Sequence, residues 1–119
     1  MTSRRPRGAA DSERGSVTVE AALGIASLIT VVAIAAAGVA AALTQIRVVD
    51  SAREAARVAA SSGADQGRSA GQEAAPGASV SVSTGGGQVT AVGVAPARGL
   101  PGVELRARAV ARIEPGQGW

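Results

Sequence analysis

This 119-residue chain has no cysteine, no histidine and no lysine, and Trp119 is its only aromatic residue. Without cysteine there is no disulfide framework and no thiolate metal site. Without histidine there is no histidine-based triad and no imidazole ligand set. Carboxylates are few and no polar constellation is clustered in sequence. The chain therefore reads as a non-enzyme, with no metal, no cofactor and no small-molecule substrate. Its basic residues are twelve arginines against nine acids, a net charge of +3. They are spread along the chain, and one tryptophan gives no platform for stacking bases, so nucleic acid is not an expected partner.

What is present in quantity is apolar surface without charge. Residues 21–46 contain no Asp, Glu, Lys or Arg. As a helix at about 1.5 Å per residue they would measure about 39 Å, against a hydrocarbon core of about 30 Å. This is long enough to cross a bilayer with some tilt. At 119 residues the chain has room for one domain. With its first half committed to such a helix, about 60 residues remain for a globular part. A core of that size is marginal when no disulfide can staple it, so the C-terminal part must lean on its own helix or on neighbours.

In order, residues 1–14 are polar and aperiodic and read as a tail or as a short leader that is cut off. Arg4, Arg5, Arg7 and Arg14 precede the apolar run and favour a cytoplasmic N-terminus with the C-terminus outside. Residues from 17 to about 60 read as one long helix. Ala33, Ala37 and Ala41 recur at intervals of four, as do Gly38 and Ala42, a spacing that lets helices in lipid approach closely. After Ile46 the pattern becomes amphipathic. Val48, Ala52, Ala55, Ala56 and Ala59 fall on one side, while Arg47, Asp50, Glu54 and Arg57 fall on the other, where opposite charges can pair. Arg53, Glu54 and Arg57 form either a solvated face or a contact surface between copies. Ser61-Ser62-Gly63 reads as a stop. A short second helix over 65–75, opposed by Gly67 and Gly71, would end at Pro76-Gly77.

From Ala78 the period changes to two. Val80 and Val82 alternate with serines, Gly85-Gly86-Gly87 supplies a turn, and residues 89–95 give a second strand. In 103–113, Val103, Leu105, Ala107, Ala109, Ala111 and Ile113 share one face and Glu104, Arg106, Arg108 and Arg112 the other. Three such strands suggest an antiparallel meander whose apolar face the emerging helix would cover. Residues 115–119 read as a loose tail. The expected fold class is α+β: a long N-terminal transmembrane helix extending into an amphipathic rod, then a small β-meander.

One acid interrupts the start of the apolar run. Gly15 is followed by Ser16, three apolar or neutral residues and then Glu20. An ionised carboxylate three residues into the run carries a desolvation cost of a few kcal/mol unless something answers it. This arrangement resembles the processing site of type IV pilin precursors. With Ala52-Arg53-Glu54-Ala55-Ala56-Arg57 further on, it is similar to the TadE-type pseudopilins, and most of all to the small actinobacterial TadE-like proteins of secretion and pilus gene neighbourhoods. The resemblance covers residues 13–60. It implies a pilin-like fold and a prepilin peptidase that cuts between Gly15 and Ser16 on the cytoplasmic side. Ser16 becomes the N-terminus and Glu20 the fifth residue of the mature chain. The new α-amine, with a reference pKa near 8, would pair with Glu20 of the same or a neighbouring subunit. Breaking such a buried pair from one side costs about 3–5 kcal/mol.

The implied organisation is a leader over 1–15, an assembly helix over 16–46, an amphipathic extension over 47–62 and an extracytoplasmic strand-rich region over 63–119. Implied partners are the prepilin peptidase, other pilin-like subunits, the Tad-type secretion machinery and membrane lipid. The protein would sit as a single-pass membrane protein or be carried into a surface filament. Two rivals stand beside this. The apolar run could be a secretory signal cut near Ala40-Ala41-Ala42, although it far exceeds the usual 7–15 residues. Alternatively, the chain could be a single-pass assembly or regulatory factor that never polymerises.

Overall fold

The computed structural model describes residues 8–113, with side chains from Ser12 onward. The first seven residues of the expected leader and the expected tail at 115–119 lie outside the described residues. The elements are α1 (Gly8–Ser62), α2 (Ala64–Ala74), β1 (Ser79–Gly85), β2 (Gln88–Pro96) and β3 (Glu104–Arg112). This is the expected α+β layout of a long apolar helix followed by a small antiparallel sheet. The chain divides into two units, Met1–Ala36 and Ala37–Trp119.

In the first unit, α1 stands alone. Val17, Val19, Leu23, Ile25, Leu28, Ile29, Val31, Val32 and Ile34 are each more than half exposed. One expectation needs correction. The polar, aperiodic stretch 1–14 predicts a tail ahead of the helix, yet residues 8–14 are helical. Once a helix is nucleated, each added residue gains a backbone hydrogen bond. Ala9, Ala10, Glu13 and Arg14 are good helix formers, and no proline falls between Pro6 and Pro76. Nothing in the sequence stops the helix from growing back past Gly15.

In the second unit, the rest of α1 becomes the spine of a small head. Its buried face is Val48, Ser51, Ala52, Ala55, Ala56, Ala59 and Ala60, the apolar stripe expected from the spacing, with Ser51 added. Ala55 and Ala56 meet Val80 and Ala91 of the sheet, flanked by Val82, Ala109 and Ala111. One turn on, Ala59 and Ala60 meet Val89, flanked by Val82, Ala111 and Ile113. The helix does cover the sheet.

The sheet has the order β1-β2-β3, with both pairings antiparallel. Gly85 pairs with Gln88, so the first hairpin closes through Gly86 and Gly87 at φ 60° and 72°. Two consecutive positive φ values make the turn whose twist matches the strands, and glycine adopts them without strain. Residues 97–103 close the second connection, with the Ala97 amide donating to the Val103 carbonyl at 2.8 Å. β3 begins at Glu104, so Val103 belongs to this loop.

The helix stops where Ser61-Ser62-Gly63 predicts, with Gly63 at φ 107°. The second helix forms despite its two glycines, and the reason is contact. Gly67 and Gly71 are its two buried residues. A Cβ on Gly67 would stand 2.6 Å from the Ala55 carbonyl oxygen, and one on Gly71 would stand 2.8 Å from the Ala55 Cβ and 3.0 Å from Val80 Cγ1. The residues that weaken α2 as an isolated helix are those that let it lie against α1. Ser51, fully buried, donates from Oγ to the Gly71 carbonyl at 2.7 Å and ties the two helices together.

Adding a methyl to a tightly packed contact costs about 1–3 kcal/mol. Gly67→Ala is therefore expected to lower the denaturant midpoint of the detergent-solubilised chain, followed by circular dichroism. Gly24→Ala, where nothing lies within 4 Å of the added carbon, is expected to leave the midpoint unchanged or raised. Equal midpoints for the two variants would refute this account of α2.

Candidate functional site

The residues singled out for processing and assembly all lie on the first unit of α1. Gly15, Ser16 and Glu20 are helical and exposed. No atom lies within 4 Å of where a Cβ on Gly15 would stand. A glycine inside a helix costs about 1 kcal/mol relative to alanine, and here the fold gains no close approach in return. Its smallness is unused by the chain itself.

The hydroxyls along the apolar run are answered locally. Thr18 Oγ1 donates to the Arg14 carbonyl at 2.9 Å, Ser27 Oγ to Leu23 at 2.8 Å, and Thr30 Oγ1 to Ala26 at 2.8 Å. Thr44 Oγ1, further along, donates to Ala40 at 3.0 Å. Every hydroxyl between positions 17 and 44 thus folds back onto the carbonyl four residues earlier, which is how a helix carries hydroxyls where water is scarce. Glu20 is different. Among the described residues it has neither a hydrogen-bond nor an ion-pair partner.

The second candidate set, Arg53, Glu54 and Arg57, is brought together in the head. With Asp50 it lines an open groove between α1 and α2, closed on the far side by Ala70, Glu73 and Ala74. Glu54 and Arg57 form a two-point ion pair. Arg57 donates from NH2 to Oε1 at 2.7 Å and from Nε to Oε2 at 3.1 Å. That hydrogen bond, aided by the guanidinium charge, holds the Glu54 carboxyl below its usual range and raises the Arg57 pKa. Folding lowers the Glu54 pKa, so the pair's contribution is present at neutral pH. It is lost as pH falls through that depressed value. Arg53 is exposed and is not part of this pair.

Against known proteins, the chain is 40% identical over 99 residues to Apoptosis inhibitor Rv3655c of Mycobacterium tuberculosis, covering 82% of this chain and 79% of that one. It belongs to the Rv3655c family. No family model matches the chain, and no solved structure does. On a chain of this length, the match to Rv3655c takes in residues 23–97 wherever it begins. The shared part of the Rv3655c family thus includes most of the uncharged run, the buried stripe of α1, all of α2 and the first hairpin. Gly15, Ser16 and Glu20 fall ahead of that assured stretch.

Sequence reasoning missed two features of the head. Ser51 sits on the apolar stripe, three residues after Val48 and four before Ala55, so the helical spacing held the signal. The sequence of 96–102 predicts only a break between strands, and the loop 97–103 does more. It approaches α1 closely: a Cβ on Gly99 would stand 3.2 Å from both Cα and Cβ of Ala37. Ala37 and Ala41, expected to face other helices, are half-buried in this chain's own head.

An ion pair with both partners solvent-exposed contributes little to stability. Arg57→Ala is accordingly expected to leave the denaturant midpoint near that of the parent chain at neutral pH. A clear loss would mean that the groove is structural rather than a surface held open for contact.

Proposed function

We propose that this protein is a TadE-like pseudopilin: a non-enzymatic minor subunit or accessory component of a Tad-type pilus or related secretion system, made as a precursor and cut by a prepilin peptidase between Gly15 and Ser16. The observation that carries the reading is Glu20. It is the one charged side chain between residues 17 and 46, and among the described residues it has no partner, at the position where cleavage would create an α-amine one turn away. In an assembly, the amine of Ser16 neutralises Glu20 of the same or an adjoining subunit and sets the stagger between them. The bare apolar surface of α1 is what such an assembly, or lipid before it, would cover. Cutting a bond inside a helix requires that helix to open, and Gly15 makes opening easier there than alanine would.

The arrangement in the cell follows from the same reading. The protein crosses the membrane once, with Arg4, Arg5, Arg7 and Arg14 on the cytoplasmic side and the head outside. The groove at Arg53, Glu54 and Arg57 then faces neighbouring subunits. A second reading is a secreted protein freed from its apolar helix. For this chain it would mean release by a cut near Ala40-Ala41-Ala42. Such a cut would leave the buried stripe from Val48 onward with the head but would remove Ala37, which seats Gly99.

The mass of the mature N-terminus, read on protein isolated from the native membrane and from sheared surface filaments, separates these readings. A start at Ser16 is expected. A chain that still carries Met1 refutes processing, and a start beyond Ala40 establishes release. In the same strain, Glu20→Ala is expected to keep the protein in the membrane and to abolish its recovery with filaments. Normal recovery would defeat the pairing of Glu20 with the new amine.

A further inference from the structure

The loop 97–103 lies against α1 at a level where the hydrocarbon core of a bilayer would end. Twenty helical residues, at about 1.5 Å each, are needed to cross about 30 Å of hydrocarbon. Counted from Val17, where the apolar run begins, they end at Ala36. Counted from Ala21, the first residue after Glu20, they end at Ala40. In either frame the boundary falls within a turn of Ala37, the residue against which Gly99 is seated.

The loop's composition suits that level. Leu100 is 38% exposed and Val103 42% exposed, with exposed Pro101 between them. They are large or rigid apolar residues, presented on a turn that the fold itself does not cover. The loop's one charge is Arg98. It lines a cleft with Thr44, Arg47, Val48, Pro76 and Gly77, and Arg47 is the first charge after the uncharged run. Among the described residues neither guanidinium has an ion pair or a side-chain hydrogen bond. Two unanswered arginines just beyond an apolar span, beside an apolar turn, match the phosphate level of a bilayer. There their aliphatic stems can lie along lipid while the charges reach phosphate oxygens.

We infer that the β2–β3 loop docks the head onto the surface of the bilayer that α1 crosses, with Leu100, Pro101 and Val103 entering the headgroup–acyl boundary and Arg47 and Arg98 holding lipid phosphates. This inference rests on α1 spanning the membrane, and it assigns the head a fixed seat on that membrane instead of a free tether. The β1–β2 turn, at the other end of β2 and about 30 Å away along the strand, points to no such contact.

The test places single tryptophans in the full chain, with Trp119→Phe removing the native fluorophore. The protein is reconstituted in vesicles of phosphatidylethanolamine and phosphatidylglycerol carrying a mixture of acyl chains brominated close to the headgroup and acyl chains brominated near the chain end. Ile29→Trp reports the span, Leu100→Trp and Val103→Trp the loop, and Thr84→Trp the far turn. The expected result is strong quenching at positions 29, 100 and 103 and none at 84. Quenching at 29 without quenching at 100 and 103 overturns the docking while leaving the span intact. Quenching at none of them overturns the span and the docking together, and quenching at 84 equal to that at 100 shows unoriented adsorption and also overturns it. Replacing Arg47 and Arg98 together by alanine is expected to reduce quenching at 100 and 103 but not at 29. No reduction would remove the guanidiniums from the contact.

Discussion

The head depends on how closely its backbones approach one another. Its largest fully buried side chains are Val48, Val89 and Ser51. Most of what surrounds them is alanine, and each buried alanine removes little apolar area from water. Such a core holds only if the elements are near enough for many short-range contacts to add up. Gly67 and Gly71 bring α2 onto α1. Gly93 does the same for the central strand, where a Cβ would stand 3.2 Å from the Val48 carbonyl oxygen. The smallness of these residues is the stabilising feature, and a larger apolar residue would displace the element that carries it.

A head built this way cannot be separated from its helix. The stripe from Val48 to Ala60 is one wall of both core clusters, and the sheet has no second layer of its own to close on. The Ser51 hydroxyl adds direction to an otherwise apolar contact, because it reaches the Gly71 carbonyl only when α2 lies in one register against α1. A fully buried hydroxyl with no partner would be costly, so this single bond opposes any slip of α2 along a uniform alanine surface.

The elements with a strict period were legible in the sequence. The alternation over β3, the serine–valine alternation of β1, the glycine turn between β1 and β2, and the stop at Ser61-Ser62-Gly63 each had a local cause that the structure repeats. The helix start was not legible, because a polar stretch without breakers looks the same whether it propagates a helix or frays. The worth of Gly67 and Gly71 was not legible either. Propensity counts them against α2, and only the proximity of Ala55 turns them to its favour. For the candidate site, the chain shows where Gly15, Ser16 and Glu20 stand and that Glu20 is unanswered. The groove at Arg53, Glu54 and Arg57 needed α2 folded beside it before it existed at all.

The two parts of α1 differ in the residues they use. Where the head covers it, the stripe is Ala, Ser and a single Val, confined to one side, and the opposite side is charged. Ahead of the head, Leu23, Ile25, Leu28, Ile29, Val31, Val32 and Ile34 are large and lie all round the axis. A helix that is apolar on every side suits a surrounding that is itself apolar on every side. A fixed protein partner on one face would need only a stripe, as the head does. The bare part of α1 therefore has the composition of a surface meant for lipid, or for several neighbours at once. Against that background one carboxylate near its N-terminal end, without a partner among the described residues, is hard to attribute to folding, because nothing in their packing uses it.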